Sequence, residues 1–153
     1  PDGLVISDGE LLWGESGSTY NVIGFDENGI LHVGSMTAQA ALDANIKYAC
    51  SFGPTLIVNG IPCGSRGGGM NPRTAIGQCA DGTVLMAAIN GRSLVSLGAT
   101  YDDVTQLMLE YGAVNAANLD GGSSSLMIYN GNILNQPASM IGERDLPTAF
   151  FIK

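Results

Sequence analysis

The stretch Asn71-Pro72-Arg73-Thr74-Ala75-Ile76-Gly77-Gln78-Cys79-Ala80-Asp81-Gly82-Thr83-Val84-Leu85-Met86-Ala87-Ala88-Ile89-Asn90-Gly91-Arg92-Ser93 decides the fold. Two apolar runs, Thr74 to Cys79 and Val84 to Ile89, are separated by Asp81-Gly82. That dipeptide tolerates the positive φ of a tight hairpin turn, so the runs are expected to pair antiparallel. The same pairing carries Arg73 and Arg92 to one open end of the hairpin.

Working outward, the same punctuation recurs. Leu4-Val5-Ile6 and Leu11-Leu12-Trp13 flank Asp8-Gly9, and Tyr20 to Phe25 and Ile30 to Val33 flank Asp26-Glu27-Asn28-Gly29. Asn59-Gly60 joins Leu56-Ile57-Val58 to Ile61. Asn130-Gly131-Asn132 joins Leu126–Tyr129 to Ile133-Leu134. Val114–Leu119 and a C-terminal run, Pro147 to Ile152, read as further strands. Two helices interrupt them. Thr100 is an N-cap candidate with Asp103 three residues on; Tyr101, Val104, Leu107, Met108 and Tyr111 recur at helical spacing, and Gly112 suits the position just past the end. A second helix is expected from about Thr37 to Lys47, with Ala38, Ala41, Leu42 and Ile46 on one face. The pattern specifies an α+β fold over residues 1–153: one domain, a twisted, mostly antiparallel sheet with a few packed helices.

Composition bounds the function. Of 153 residues 22 are Gly, about twice the usual share of roughly 7%, yet no G-X-Y period exists, which excludes collagen. Only 13% of residues are charged and 45% are hydrophobic, which leaves ample apolar surface to bury and argues against disorder. The net charge is -8, from 14 Asp+Glu against 6 Lys+Arg, and no basic run exists to release phosphate counterions. Nucleic acid is therefore not the partner. No run is long and apolar enough for a membrane span. Cys50, Cys63 and Cys79 form no CxxC pair, and the lone His32 cannot complete a usual zinc set. One disulfide plus a thiol, or three thiols, both fit.

The glycines outside two-residue turns mark where chemistry can sit. Ser65-Arg66-Gly67-Gly68-Gly69 leads into Arg73, and Asn118-Leu119-Asp120-Gly121-Gly122-Ser123-Ser124-Ser125 follows a strand. A strand ending in Asp, then bare backbone and hydroxyls, can form an anion-binding nest beside a carboxylate. It can equally be a wide loop whose Asp120 caps its own backbone. Four arginines, Arg66, Arg73, Arg92 and Arg144, lie beside Gly, Pro or Glu. Arginine grips a phosphate bidentately, although each can also satisfy a loop carbonyl or carboxylate. Ser123 to Ser125 lack a G-x-S-x-G elbow and a nearby His, which argues against a serine hydrolase.

Taken in order, these segments resemble the phosphodiester glycosidase family. The resemblance rests on Asn71 through Gly77, Asn90-Gly91-Arg92-Ser93, Gly98 through Gly112, Asn118 through Ser125, Asn130-Gly131, and Glu143-Arg144 with Pro147-Thr148-Ala149. It runs from about Ser51 to the end, and Pro1 to Gly9 resembles an earlier piece. Many relatives carry Asp-Gly-Arg where this chain has Asn90-Gly91-Arg92, so no carboxylate role is carried over there. The family domain ordinarily has an Asn-Gly-Gly-Phe-like segment ahead of the Pro1-Asp2-Gly3 equivalent. Residues 1–153 are accordingly expected to be that domain without its N-terminal part.

The resemblance implies hydrolysis of a glycosyl phosphodiester, releasing a sugar and a phosphomonoester, on a secreted, cell-surface or exopolysaccharide glycan. No cofactor is expected, and no residue is assigned to a metal. The expected catalytic residues are Asp120, Glu143, Arg73 and Arg92. Thr74, Asn90, Gly121, Gly122, Ser123, Ser124 and Arg144 are expected to bind substrate phosphate. The competing classes are a non-catalytic surface module that binds anionic glycopolymers, and an inert structural half of a larger protein.

Overall fold

A computed structural model describes residues 3–65, 67–139 and 144–152. The chain forms β1 (Val5–Ser7), β2 (Glu10–Trp13), β3 (Thr19–Asp26), β4 (Leu31–Thr37), α1 (Ala38–Asp43) and β5 (Ile46–Ser51). It continues with β6 (Thr55–Val58), β7 (Ile61–Pro62), β8 (Arg73–Cys79), β9 (Val84–Ile89), α2 (Tyr101–Glu110) and β10 (Ala113–Leu119). A short 3₁₀ turn, Gly122–Ser124, precedes β11 (Ile128–Tyr129) and β12 (Asn132–Ile133). The α+β class and its antiparallel pairing are those expected, with the strands divided between two five-stranded sheets. One has the order β2-β1-β5-β3-β4 and the other β7-β6-β10-β8-β9; β11 and β12 pair separately.

Alternation along each strand explains the layering, because successive side chains point to opposite faces. In β3, Val22 joins a cluster with Leu4, Ile6, Ala38, Ala41 and Ile46, which buries α1 on the outer face of the first sheet. Its neighbour Ile23 points the other way, to Leu31, Ile76 and Ala117, between the sheets. In β8, Ala75 packs with Val104 and Met108 of α2 on the second sheet's outer face. The order is helix, sheet, sheet, helix. Polar side chains tie the two sheets. Gln78 and Asn115 are in register on β8 and β10; Gln78 Oε1 accepts from the Leu31 N–H at 2.7 Å, and Asn115 Nδ2 donates to the Leu31 carbonyl at 3.2 Å.

Each expected hairpin forms: β3–β4, β6–β7, β8–β9 and β11–β12. The capping box is also present, with Thr100 Oγ1 accepting from the Asp103 N–H and the Asp103 carboxylate accepting from the Thr100 N–H. Two expectations fail. The first helix stops at Asp43, and Ile46 and Lys47 open β5 instead. Asn45, at φ 56°, turns the chain out of the helix, and Ile46 buries itself as a strand residue. The Pro147–Ile152 run forms no strand; it is held by Phe150, whose ring meets Phe25 edge-on at 6.0 Å. Cys50, Cys63 and Cys79 are all free thiols. Among the described residues no helix is long and apolar enough to cross a membrane.

Candidate active site

The site expected from the sequence falls at one end of the second sheet, where β8 begins and β9 and β10 end. Arg73 pairs with Ile89 across β8–β9, and Thr74 with Leu119 across β8–β10. Arg73, Asn90-Gly91-Arg92 and Asp120-Gly121-Gly122 are thereby brought to one edge. The glycine turn is pressed against β8: a Cβ on Gly121 would stand 2.7 Å from the Pro72 carbonyl oxygen, and the Gly122 N–H donates to that same oxygen at 2.9 Å. The Gly122 amide therefore tethers the turn and is not available as an anion donor.

The two arginines are held differently. Arg73 is 6% exposed. Its Nε donates to the Ala99 carbonyl at 3.0 Å, its Nη2 donates to the Gly69 carbonyl at 2.8 Å, and its guanidinium lies 3.8 Å from the centre of the Tyr101 ring. A buried cation requires such compensation, which here comes from carbonyl dipoles and a ring face. Arg92 is exposed, with φ 55°. That left-handed backbone aims its side chain over Gly122, where a Cβ would meet the guanidinium nitrogens at 3.4 and 3.5 Å. Its Nη2 donates to Asn71 Oδ1 at 2.9 Å. Among the described residues neither arginine is paired with a carboxylate; the ion pair found joins His32 and Asp26 at 3.0 Å.

The other expected residues divide. Asp120 is exposed at the end of β10, Ser123 half-buried and Ser124 buried in the turn. Thr74 lies on the opposite face from Arg73, the face of Ile76 and Gln78, with its hydroxyl buried and unpartnered among the described residues. Its backbone lies at the same end of the sheet, paired with Leu119, but its side chain faces away from that of Arg73. Asn90 is occupied structurally, since its Oδ1 accepts from the Gln136 N–H at 2.7 Å and its carbonyl from Ser96 Oγ at 2.7 Å. Arg144 is exposed. Glu143 and Arg66 lie outside the described residues.

Three residues beyond those expected lie close to these elements. Asn71 and Tyr101 contact the two guanidiniums, and buried Ser125 carries a hydroxyl with no partner among the described residues. The signal for Asn71 was its place two residues ahead of Arg73, but only the fold brings it to Arg92. Among the described residues no group of three His, Cys, Asp or Glu could hold a metal ion. Two concavities among the described residues lie elsewhere. One, of about 430 Å³, runs between Val84–Ala87 and Leu107, Met108 and Tyr111; the other, of about 250 Å³, is lined by Thr19–Asn21, Ser51 and Phe52.

The molecule is an α+β domain with an exposed guanidinium over one glycine turn and a buried guanidinium held by another glycine segment. The chain belongs to the phosphodiester glycosidase family, whose model matches residues 1–153. It is 46% identical over 65 residues, 42% of this chain and 10% of the relative, to the SPbeta prophage-derived uncharacterized protein YomE of Bacillus subtilis (strain 168). It is 29% identical over 69 residues, 45% of this chain and 13% of the relative, to the N-acetylglucosamine-1-phosphodiester alpha-N-acetylglucosaminidase of Bos taurus. The fold is that of the zebrafish N-acetylglucosamine-1-phosphodiester alpha-N-acetylglucosaminidase catalytic domain auto-inhibited by its pro-peptide. That superposition has a TM-score of 0.75 at 21% identity and covers 89% of this chain and 50% of that one. The matched segments span only about a tenth of the length of the curated relatives.

Proposed function

We propose that this chain hydrolyses a glycosyl phosphodiester on a cell-surface or extracellular glycan. Water adds to the anomeric carbon, the bond from that carbon to the phosphate oxygen breaks, and a free sugar and a phosphomonoester leave. Family membership supports the reaction class. The observation that carries the site is the seat of the Arg92 guanidinium over Gly122, two residues past the Asp120 carboxylate.

One N–H of Arg92 is engaged by Asn71, and among the described residues no other hydrogen bond occupies its guanidinium, whose remaining donors face outward for phosphate oxygens. Negative charge grows on the phosphate as the glycosidic bond breaks, so a fixed cation there favours the transition state over the bound diester. A phosphomonoester leaves readily and needs little protonation. The remaining task belongs to a carboxylate near the anomeric carbon, acting as base, nucleophile or oxocarbenium stabiliser, and Asp120 is the one assigned to it. Arg73 holds the glycine loop and the start of α2, so its part is positioning. Glycosyl methyl phosphodiesters incubated with the chain and followed by phosphorus NMR test the assignment. Loss of turnover by at least a hundredfold in both Arg92→Ala and Asp120→Asn is expected; unchanged turnover in both sinks it. Binding without turnover, insensitive to Asp120→Asn, identifies a glycopolymer-binding module instead.

A further inference from the structure

We infer that Asn71 is a positioning residue that presets the Arg92 guanidinium for a phosphate oxygen and couples it to the glycine loop; this rests on the anion site just proposed. Both ends of the Asn71 amide are engaged. Its Oδ1 accepts from Arg92 Nη2 at 2.9 Å, and its Nδ2 donates to the Gly69 carbonyl at 3.2 Å. That carbonyl is also the acceptor for Arg73 Nη2 at 2.8 Å, so one oxygen links the buried arginine to the exposed one. The Asn71 backbone is itself fixed, exchanging both hydrogen bonds with Ala99 at 3.1 and 2.9 Å. Ala99 in turn accepts from Arg73 Nε.

An exposed arginine without such a contact samples many rotamers, and ordering it on binding costs free energy. Here Gly122 supplies the floor and Asn71 the side wall, so the guanidinium is oriented before any anion arrives. The carbonyl oxygen of an amide suits this position better than a carboxylate, because it orients the guanidinium without neutralising the charge that the phosphate must meet.

The test measures inorganic phosphate binding by calorimetry on the full chain, as parent, Asn71→Ala, Arg92→Ala and the double variant. Asn71→Ala is expected to weaken phosphate about tenfold, Arg92→Ala by more, and the double variant no further than Arg92→Ala alone. Side-chain NMR of the Arg92 Nε–H should show the group mobile in Asn71→Ala and still ordered in Asn71→Asp, which keeps the acceptor. Asn71→Asp should nevertheless bind phosphate less well than the parent, because its charge offsets that of Arg92. Thermal melting identifies any variant that fails to fold, and there the Asn71→Asp comparison carries the decision. Additive effects, an Arg92 signal unmoved by Asn71→Ala, or a parent that does not bind phosphate overturn the inference. Coupling intact in a chain without turnover overturns the hydrolytic reading and leaves this one standing.

Discussion

Replacing Gly121 by Ala places a methyl group 2.7 Å from the Pro72 carbonyl oxygen, with the Arg73 Cα at 3.6 Å behind it. The obstacle is backbone, and no side chain can swing aside. Backbone conformation adds nothing, since Gly121 has φ −115°, open to any residue. The turn must therefore withdraw from β8 by a few tenths of an ångström at least, stretching the 2.9 Å bond from the Gly122 N–H to Pro72. Overpacking costs about 1–3 kcal/mol and the weakened hydrogen bond about 1 kcal/mol, so a loss of about 2–4 kcal/mol is expected. In a chain of this size that lowers the melting temperature by about 5–15 °C. The same withdrawal lifts Gly122 from beneath Arg92, so phosphate binding should fall with stability. Thermal melting by circular dichroism and phosphate titration measure the two. Gly17→Ala and Gly69→Ala serve as controls, because a Cβ at either meets nothing within 4 Å and neither has a positive φ. A Gly121→Ala variant as stable as these controls refutes the close approach on which the site is built.

Other outcomes follow from the same geometry. Thr100→Ala removes the acceptor for the Asp103 N–H and should cost about 1 kcal/mol in chemical denaturation. Gln78→Ala strands the buried Leu31 N–H between the sheets, a loss of about 2–3 kcal/mol that leaves phosphate binding unchanged. The Asp26 carboxyl is held below its ordinary value, chiefly by the hydrogen bond from His32 and then by the Ile30 and Asn28 N–H groups. A lowered acid stabilises above its unfolded value near 3.9 and loses that contribution as pH falls through the folded one. Asp26→Asn should thus flatten the stability loss measured below about pH 4. Burial pushes the Cys50 thiol up to about 11, so a thiol reagent at pH 8 should modify Cys50 far more slowly in the folded chain than after unfolding, as mass spectrometry of the labelled peptides would show.

Local chemistry was legible in the sequence, and long-range pairing was not. Asn59-Gly60, Asp81-Gly82 and Asn130-Gly131 each announce a turn whose geometry depends on two residues, and each hairpin forms. Thr100 and Asp103 specify a helix start within four residues, and it forms where expected. Ile46 illustrates the opposite case. Its spacing from Ala38 and Leu42 fits a helix, but its burial comes from β5, which lies between β1 and β3 in a pairing no local pattern encodes. The division into two sheets has the same origin. Strands buried on both faces, such as β3 and β8, carry no sign of which neighbour covers each face.

The site was partly legible for the same reason. Arg73 and Arg92 could be placed at one end from a single hairpin register. The arrival of Asp120-Gly121-Gly122 beside them required β10 to pair with β8 across an intervening helix. Thr74 shows the limit: one residue from Arg73 in sequence, it points to the opposite face. Asn71 was quoted only as part of a motif, and its contact with Arg92 spans 21 residues.

Cleavage between the anomeric carbon and the phosphate oxygen is open to a direct isotope measurement. A glycosyl methyl phosphodiester is hydrolysed by the chain in oxygen-18 water, and both products are examined by mass spectrometry and phosphorus NMR. The expected result is methyl phosphate free of label, with the oxygen from water in the released sugar. Label appearing in the phosphate, or no hydrolysis of any such diester by the folded chain, contradicts it.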